Sequence, residues 1–220
     1  MTRRRTFLAQ LGVAAATLSL DADEIRAAGS TPSAGPWDTS WLDRLATAKY
    51  RVVFNGSDIA DGAAMSFAAE FLDHYHEVHG TADAETRPVI VFRRLGTVMA
   101  LNDAMWERHA VGESRKVTDP VTRAPARRNV FWRAAPGATA DAAAEKIETL
   151  QRRGLICLVC NIALNNVGAG FAERAKRDVE EVRAEIKANL VPGAIIVPSG
   201  IYGLIRAQNA GCAFMSGTGS

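Results

Sequence analysis

Five short apolar runs, separated by stretches with helical periodicity, constrain the fold of this chain more than any other feature. The runs cover residues 50–55, 88–93, 154–160, 194–198 and 212–216. The first four are β-branched or almost entirely apolar, as strands buried on both faces of a sheet are. Apolar residues at three- and four-residue spacing predict helices over 64–75 and 175–190. This alternation predicts an α/β domain whose parallel sheet is covered by helices on both faces.

The composition fits one globular domain and argues against several classes of protein. The 220 residues are 48% hydrophobic and 23% charged, which is enough to bury a core without disulfides or metals. The 26 basic and 24 acidic residues give a net charge of +2, which does not favour a nucleic-acid partner. The chain has neither a G-x-G-x-x-G pattern nor a P-loop. We therefore predict no nucleotide and no other cofactor.

Residues 1–29 resemble an export signal. Consecutive arginines at 3–5 precede an apolar stretch at 7–20, and the order Arg-Arg-Thr-Phe-Leu at 4–8 resembles the twin-arginine signal. The alternative is a basic amphipathic helix at the start of the domain. The signal interpretation predicts a periplasmic protein with cleavage near 27–29. The protein would meet a membrane only if the signal stayed uncleaved and acted as an anchor.

The rest of the chain divides into a linker and lead-in at 30–47, one domain at 48–216 and a tail at 217–220. Within the domain, 111–136 is predicted to be a long basic loop, because it lacks a clear period. A loop of this length inside a compact domain is usually functional or mobile. Its cations could draw an anion towards a site, and the alternative is a solvated surface loop.

Ligands of open parallel sheets bind beyond the carboxyl ends of the strands, and this rule selects the candidate site residues. Cys160 is the candidate catalytic residue, since it ends the third apolar run. The candidates for binding a ligand or an anion follow the ends of four strands: Asn55, Ser57, Arg93, Asn161, Ser199 and Gly200. Two of these junctions lead straight into helices, so their backbone N–H groups would face the crevice.

The thiol of Cys160 is predicted to lie at the start of a helix. Backbone N–H groups at a helix N-terminus favour the thiolate, which is the form that acts as nucleophile and sulfur acceptor. The alternative is a buried, inert cysteine that packs as a small hydrophobe. Position in the sequence does not decide between the two.

Cys157 forms a C-x-x-C pattern with Cys160 and is a further possible site residue. Because Cys157 lies inside the predicted strand, alternation would direct it to the opposite face of the sheet. A zinc site would need four ligands, and no second C-x-x-C or histidine pair has matching spacing. No metal is therefore predicted, and Cys212 is assigned to the core.

Three more distant residues are possible contributors to the site. His109 precedes the basic loop and could either reach the site or act as a cation at a helix C-terminus. Arg127 and Arg128 belong to the loop itself and could bind an anion such as thiosulfate or sulfite.

Three segments together resemble the DsrE/DsrF-like family of sulfur-handling proteins. The strand-Cys-helix sequence at 154–164 is similar to the segment of that family which holds the sulfur-accepting cysteine, and Cys160 occupies that position. The stretch at 197–211 resembles the last β-α-β unit of an exported subgroup, and Arg-Arg-Asn-Val-Phe at 127–131 resembles a motif in the loop of that subgroup. The resemblance extends over about residues 48–216.

The resemblance implies a three-layer α/β/α domain with a five-stranded, mainly parallel sheet. It also implies a homo-oligomer, commonly a trimer or hexamer, and a possible partner protein that donates sulfur to this one or accepts sulfur from it. The best-known members relay sulfur as a cysteine persulfide in the cytoplasm, and an exported protein cannot serve cytoplasmic tRNA thiolation.

The main hypothesis is a periplasmic persulfide carrier or sulfurtransferase partner that uses Cys160. In this hypothesis Asn161, Ser199 and nearby backbone N–H groups stabilise the terminal sulfur anion. The first alternative is a non-enzymatic subunit or small-ligand binder of the same fold, since some relatives lack the cysteine. The second is a thiol-disulfide oxidoreductase that uses Cys157 and Cys160.

Overall fold

The computed structural model describes residues 35–218, which form an α/β domain around a five-stranded sheet. All neighbouring strands pair in parallel, in the order β4-β3-β2-β1-β5. The strands are β1 Tyr50–Gly56, β2 Thr86–Phe92, β3 Ile156–Cys160, β4 Ala194–Val197 and β5 Ala213–Ser216. The predicted fold class is confirmed, and each predicted strand is present with ends displaced by at most two residues.

Nine α-helices flank the sheet within residues 35–218, and none of these is long and apolar enough to cross a membrane. The helices are α1 Trp41–Ala46, α2 Ala63–His79, α3 Asp103–Arg108, α4 Val111–Arg115, α5 Ala140–Ala144, α6 Ile147–Arg152, α7 Asn161–Ala175, α8 Val179–Ala188 and α9 Gly200–Asn209. A 3₁₀ segment, Arg94–Ala100, follows β2. The predicted signal at 1–29 lies outside the described residues.

Alternation along β3 divides the core into two clusters, one on each face of the sheet. Cys157 and Val159 pack into the larger cluster, with α2, α3, α7 and α8. Ile156 and Leu158 pack into the other cluster, with α1 and α9. This arrangement has the three layers expected from the pattern of strands and helices.

The folded domain begins before residue 48. The expected linker and lead-in at 30–47 contains α1, whose Trp41 and Leu45 are fully buried against the sheet. Burial of two large apolar side chains stabilises the domain, so this part of the segment belongs to the core.

The helical period over 175–190 does not mark one continuous helix. The chain adopts a left-handed conformation at Lys176, with φ of 53°, and this ends α7. The carboxylate of Asp178 then accepts hydrogen bonds of 2.9 Å from the backbone N–H groups of Glu180 and Glu181. Such a capped start satisfies the free donors of a new helix, so α8 begins here.

The segment at 111–136 is more ordered than the expected loop. It starts with α4, and Gly112 packs so closely on Ala126 that an added Cβ would lie 2.2 Å from the carbonyl oxygen of Ala126. Further along, Val130, Phe131 and Trp132 are buried. Packing against its own backbone and against the core therefore fixes much of this segment.

Asn129 connects residues 111–136 to the 3₁₀ segment after β2 through hydrogen bonds. Its buried Nδ2 donates hydrogen bonds of 2.7 Å to the carbonyl oxygens of Met99 and Leu101. Its Oδ1 accepts a bond of 3.0 Å from the N–H of Phe131. These contacts connect the segment at 111–136 to the chain that leaves the carboxyl end of β2.

Candidate functional site

The chain leaves the neighbouring strands β3 and β4 on opposite faces of the sheet. It leaves β3 through α7 on one face and leaves the neighbouring β4 through α9 on the other face. Loops that part in this way open a crevice at the carboxyl ends of the two strands, where open α/β sheets bind ligands. A cleft of about 560 Å³ lies at this point.

The cleft combines cationic, apolar and small polar side chains. Its lining residues are Arg93, Arg94, Leu95, Arg115, Cys160, Ile162, Ala163, Asn166, Val167, Ser199, Gly200 and Ile201. Three of these described residues are arginines and none is acidic. The structure therefore brings together four of the predicted site residues, Arg93, Cys160, Ser199 and Gly200.

Cys160 ends β3 and caps the N-terminus of α7. Its Sγ accepts a hydrogen bond of 3.4 Å from the backbone N–H of Ala163, as the side chain of an N-cap residue does. The residue is 6% exposed and its side chain lines the cleft. The position thus combines a largely desolvated thiol with the positive end of a helix.

A second helix begins on the other side of the cleft. Ser199 caps α9, with its Oγ accepting a hydrogen bond of 3.1 Å from the backbone N–H of Tyr202. Gly200 follows, and an added Cβ there would lie 2.8 Å from both Cβ and Cδ of Arg93. The absence of a side chain at Gly200 thus lets Arg93 lie across the start of α9.

Two predicted residues at the carboxyl end of β1 act on the cleft only indirectly. The Oδ1 of Asn55 accepts a hydrogen bond of 3.4 Å from Nη1 of Arg93, so Asn55 orients a lining residue. The carbonyl oxygen of Ser57 accepts a bond of 3.3 Å from the N–H of Gly96 and helps to fix the turn after β2. Neither side chain is among the lining residues of the cleft.

Asn161 is next to Cys160 in sequence but lies outside the cleft. It lines a separate surface cavity with Trp37, Asp38 and the strand β4. Successive residues at a strand-to-helix junction point in different directions, which explains the separation. A role for the Asn161 side chain in stabilising a sulfur anion on Cys160 is therefore not favoured by the geometry.

The other two cysteines lie in apolar surroundings. Cys157 is fully buried, and burial raises the pKa of its thiol to about 12. Cys212 is 7% exposed, and burial raises the pKa of its thiol to about 11. Both remain protonated at neutral pH, and protonated thiols are poor nucleophiles. Within the described chain all three cysteines are free.

His109 is far from the thiol. Its ring stacks on that of Phe171 with centroids 4.1 Å apart, and Phe171 lies about 16 Å along α7 from Cys160 at 1.5 Å per residue. Burial and the nearby cations, Arg108 first among them, lower the pKa of His109 to about 4. His109 therefore does not reach the cleft as the sequence suggested it could. Its neutral imidazole packs against the C-terminal half of α7 instead.

The predicted loop arginines also lie elsewhere. The Nε of Arg128 is 2.9 Å from Oδ2 of Asp119, and Nη1 of Arg127 is 3.8 Å from Oε1 of Glu107. Both arginines line a different cavity, which also contains these acidic side chains. The segment at 111–136 contributes a different cation to the cleft, Arg115 of α4.

The remaining lining residues differ in how far the sequence indicated them. Arg94 follows β2 directly after Arg93, so the same rule on strand ends selects it. Ala163 and Val167 were not predicted, although they follow Cys160 at three and seven residues on a helix, so periodicity could have found them. Arg115 is one of the cations at 111–136 that were expected to draw an anion, but the sequence does not distinguish it from the others. It is 45 residues from Cys160 in sequence and reaches the cleft only through the packing of 111–136.

The charges and dipoles around the cleft all favour an anion. Arg93, Arg94 and Arg115 supply guanidinium groups, which bind oxyanions and other anions by charge-assisted hydrogen bonds. The N-termini of α7 and α9 add partial positive charge from their free backbone N–H groups. No three metal-ligating side chains cluster anywhere in residues 35–218.

Fold and site together define a three-layer α/β protein with a thiol-bearing cationic cleft at the carboxyl ends of β2, β3 and β4. The chain matches no protein-family model, no curated protein and no solved structure. The DsrE/DsrF-like family, inferred from three sequence segments, therefore stays a prediction.

Proposed function

We propose that this protein carries sulfur as a persulfide on Cys160 and passes it to a partner. The observation that carries the proposal is the position of the Cys160 thiol, which lines a cleft containing three arginines and two helix N-termini. The same position fits the sulfur-accepting cysteine implied by the DsrE/DsrF-like resemblance.

The surroundings of Cys160 suit each state of a sulfur carrier. As a thiolate, its sulfur is stabilised by the N-terminus of α7 and attacks a sulfur donor. As a persulfide, its terminal sulfur is an anion that extends further into the cleft, where arginine guanidinium groups stabilise it. Burial of Cys160, which is 6% exposed, shields the inner sulfur of the adduct from bulk water.

The cellular setting follows from the sequence. The twin-arginine pattern at residues 4–8 supports export, so the sulfur donor and acceptor would be periplasmic. The resemblance supports a homo-oligomer. The edge strand β5 is in keeping with this, because Phe214 and Met215 are 52% and 46% exposed on it.

A small-ligand binder without sulfur chemistry is the second candidate. The size of the cleft favours it, since about 560 Å³ lies in the range of small-molecule sites. In that case Cys160 would serve only as the cap of α7. The C-x-x-C oxidoreductase is disfavoured, because Cys157 packs in the core on one face of the sheet while Cys160 lines the cleft.

The test is sulfur loading followed by intact mass. The purified, reduced protein is incubated with inorganic polysulfide, desalted and weighed, beside Cys160→Ser and Cys212→Ser. We expect mass increments of about 32 Da per sulfur in the wild type and in Cys212→Ser, reversed by reductant. Loading that persists in Cys160→Ser, or no loading of any protein, would overturn the proposal.

A further inference from the structure

The cleft beside Cys160 is longer than an inorganic sulfur anion requires. It extends along α7 from Cys160 to Val167, which is about 10 Å at 1.5 Å per residue. Thiosulfate, sulfite or a short polysulfide would occupy only the end nearest the thiol. A volume of about 560 Å³ is instead in the range that encloses organic molecules.

Much of the wall is aliphatic and faces solvent. Ile162 on α7 is 55% exposed, Ile201 on α9 is 60% exposed, and Leu95 after β2 is 46% exposed. All three line the cleft. A hydrated inorganic anion gains nothing from such a wall, whereas an organic body would remove apolar surface from water on both sides.

The cations belong to separate parts of the chain. Arg93 and Arg94 follow β2, while Arg115 belongs to α4 in the segment at 111–136. With no acidic group among the described lining residues, these cations can bind negative charge beyond the single charge of a persulfide. Planar guanidinium groups bind carboxylates in a bidentate manner.

We propose, on the basis that Cys160 accepts sulfur, that its donor is a small organic persulfide bearing carboxylates. The Cys160 thiolate attacks the outer sulfur of R–S–SH. The S–S bond of the donor breaks, a new S–S bond forms on Cys160, and R–S⁻ leaves with the electron pair. The outer sulfur keeps its proton during the transfer, so the immediate products are Cys160–S–SH and the donor thiolate, and no external oxidant is needed. Cys160–S–SH then loses this proton to water and becomes the persulfide anion.

The experiment compares three donors with the same protein. The probes are glutathione persulfide, its diethyl ester, in which both carboxylates are masked, and inorganic polysulfide. The rate of the increment of about 32 Da is measured for each by quenched intact mass. We expect the free acid to load Cys160 at least tenfold faster than the ester, as the loss of charge-assisted hydrogen bonds predicts.

Arginine variants connect this preference to the cleft. In Arg115→Gln we expect the preference for the free acid over the ester to fall to about threefold or less. Arg127→Gln is the matched control, because Arg127 is a highly exposed arginine of the same segment outside the cleft. It should retain the full preference. Loading by polysulfide reports whether the thiol remains competent in each variant.

The outcomes separate this inference from the proposed function. Equal rates with the acid and the ester, or loading by polysulfide alone, would overturn the organic carboxylate donor and leave Cys160 as a sulfur acceptor. An unchanged preference in Arg115→Gln would also overturn the assignment of the carboxylate site. If no donor loads the protein, the proposed function itself fails.

Discussion

Cys160, Cys157 and Cys212 carry the same thiol in three different environments. Burial raises the pKa of Cys157 and Cys212 to about 12 and about 11, so both are held as thiols in apolar packing. Cys160 instead caps a helix at the edge of a cleft that contains three arginines. We therefore expect Cys160 to be the most reactive of the three cysteines.

His109 provides a test of burial at the residue scale. Its pKa of about 4 in the folded state is below the ordinary value of 6.5, so the unfolded chain binds the proton more readily. The contribution of neutral His109 to stability is therefore complete above about pH 6.5 and is lost as the pH falls towards 4. As the pH falls, the free energy of unfolding of the wild type should therefore decrease more than that of His109→Phe. We expect the difference between the two decreases to be on the order of 2 kcal/mol.

The measurement is the free energy of unfolding in urea at pH 7 and pH 4.5. At pH 7 the variant should be about as stable as the wild type, because a phenyl ring can keep the stacking on Phe171 and the Nε2 of His109 has no hydrogen-bond partner among the described residues. His74→Phe, at an exposed position on α2, is the control. The same pH dependence in all three proteins would contradict the burial of a neutral His109.

The predictable part of the site follows one local rule. Arg93, Cys160, Ser199 and Gly200 lie at the ends of strands or within three residues of them, so the chain order alone places them at one edge of the sheet. Arg127, Arg128 and His109 were candidates by charge, yet acidic neighbours or an aromatic ring hold each of them elsewhere. Charge in a sequence does not show which partner a side chain will find.

At the scale of elements, the segment at 111–136 stabilises one wall of the cleft through hydrogen bonds. Asn129 joins it to the 3₁₀ segment Arg94–Ala100, which carries Arg94 and Leu95 into the cleft. We expect Asn129→Ala to lower the free energy of unfolding by about 2–4 kcal/mol, because two buried carbonyl groups lose their donor.

Urea unfolding of Asn129→Ala, beside Asn209→Ala at the exposed end of α9, measures this effect. The control should change the free energy of unfolding by less than about 0.5 kcal/mol, as surface substitutions do. An equally small change in Asn129→Ala would show that the segment does not depend on these bonds. The local sequence pattern could not predict this connection, because the Asn129 side chain and the backbone carbonyl groups that it binds are about 30 residues apart.

Strands and helices differ in how far the sequence predicts them. The central strands β2 and β3 were recognisable because burial on both faces leaves a continuous apolar run. The ends of helices were harder to predict from the sequence. The period over 175–190 continues through the break at Lys176, since a left-handed residue and the cap by Asp178 change the direction of the chain without changing the apolar spacing.

At the scale of the whole molecule, β5 is the open edge of the sheet next to β1. All four of its residues are exposed, and none is charged or proline, the usual protections of an edge strand. If the protein is a homo-oligomer, as proposed, this edge is the surface that an assembly would cover. We expect Met215→Lys to reduce the assembly to smaller species in sedimentation velocity.

Val121→Lys is the matched control for this substitution, because Val121 is an exposed apolar residue in the segment at 111–136. Its sedimentation should equal that of the wild type. A monomeric wild-type protein would contradict the proposed oligomer, and an intact assembly in Met215→Lys would exclude β5 as its contact.

The relative reactivity of the three cysteines tests the central claim most directly. The native, reduced protein is exposed briefly to a small alkylating reagent at neutral pH, digested, and the label on each cysteine is quantified by mass spectrometry. A parallel sample is loaded with polysulfide first. We predict that Cys160 is labelled at least tenfold faster than Cys157 or Cys212, and that the added sulfur is found on the peptide containing Cys160. A Cys160 as inert as Cys157, or sulfur on another cysteine, would contradict a carrier built around this thiol.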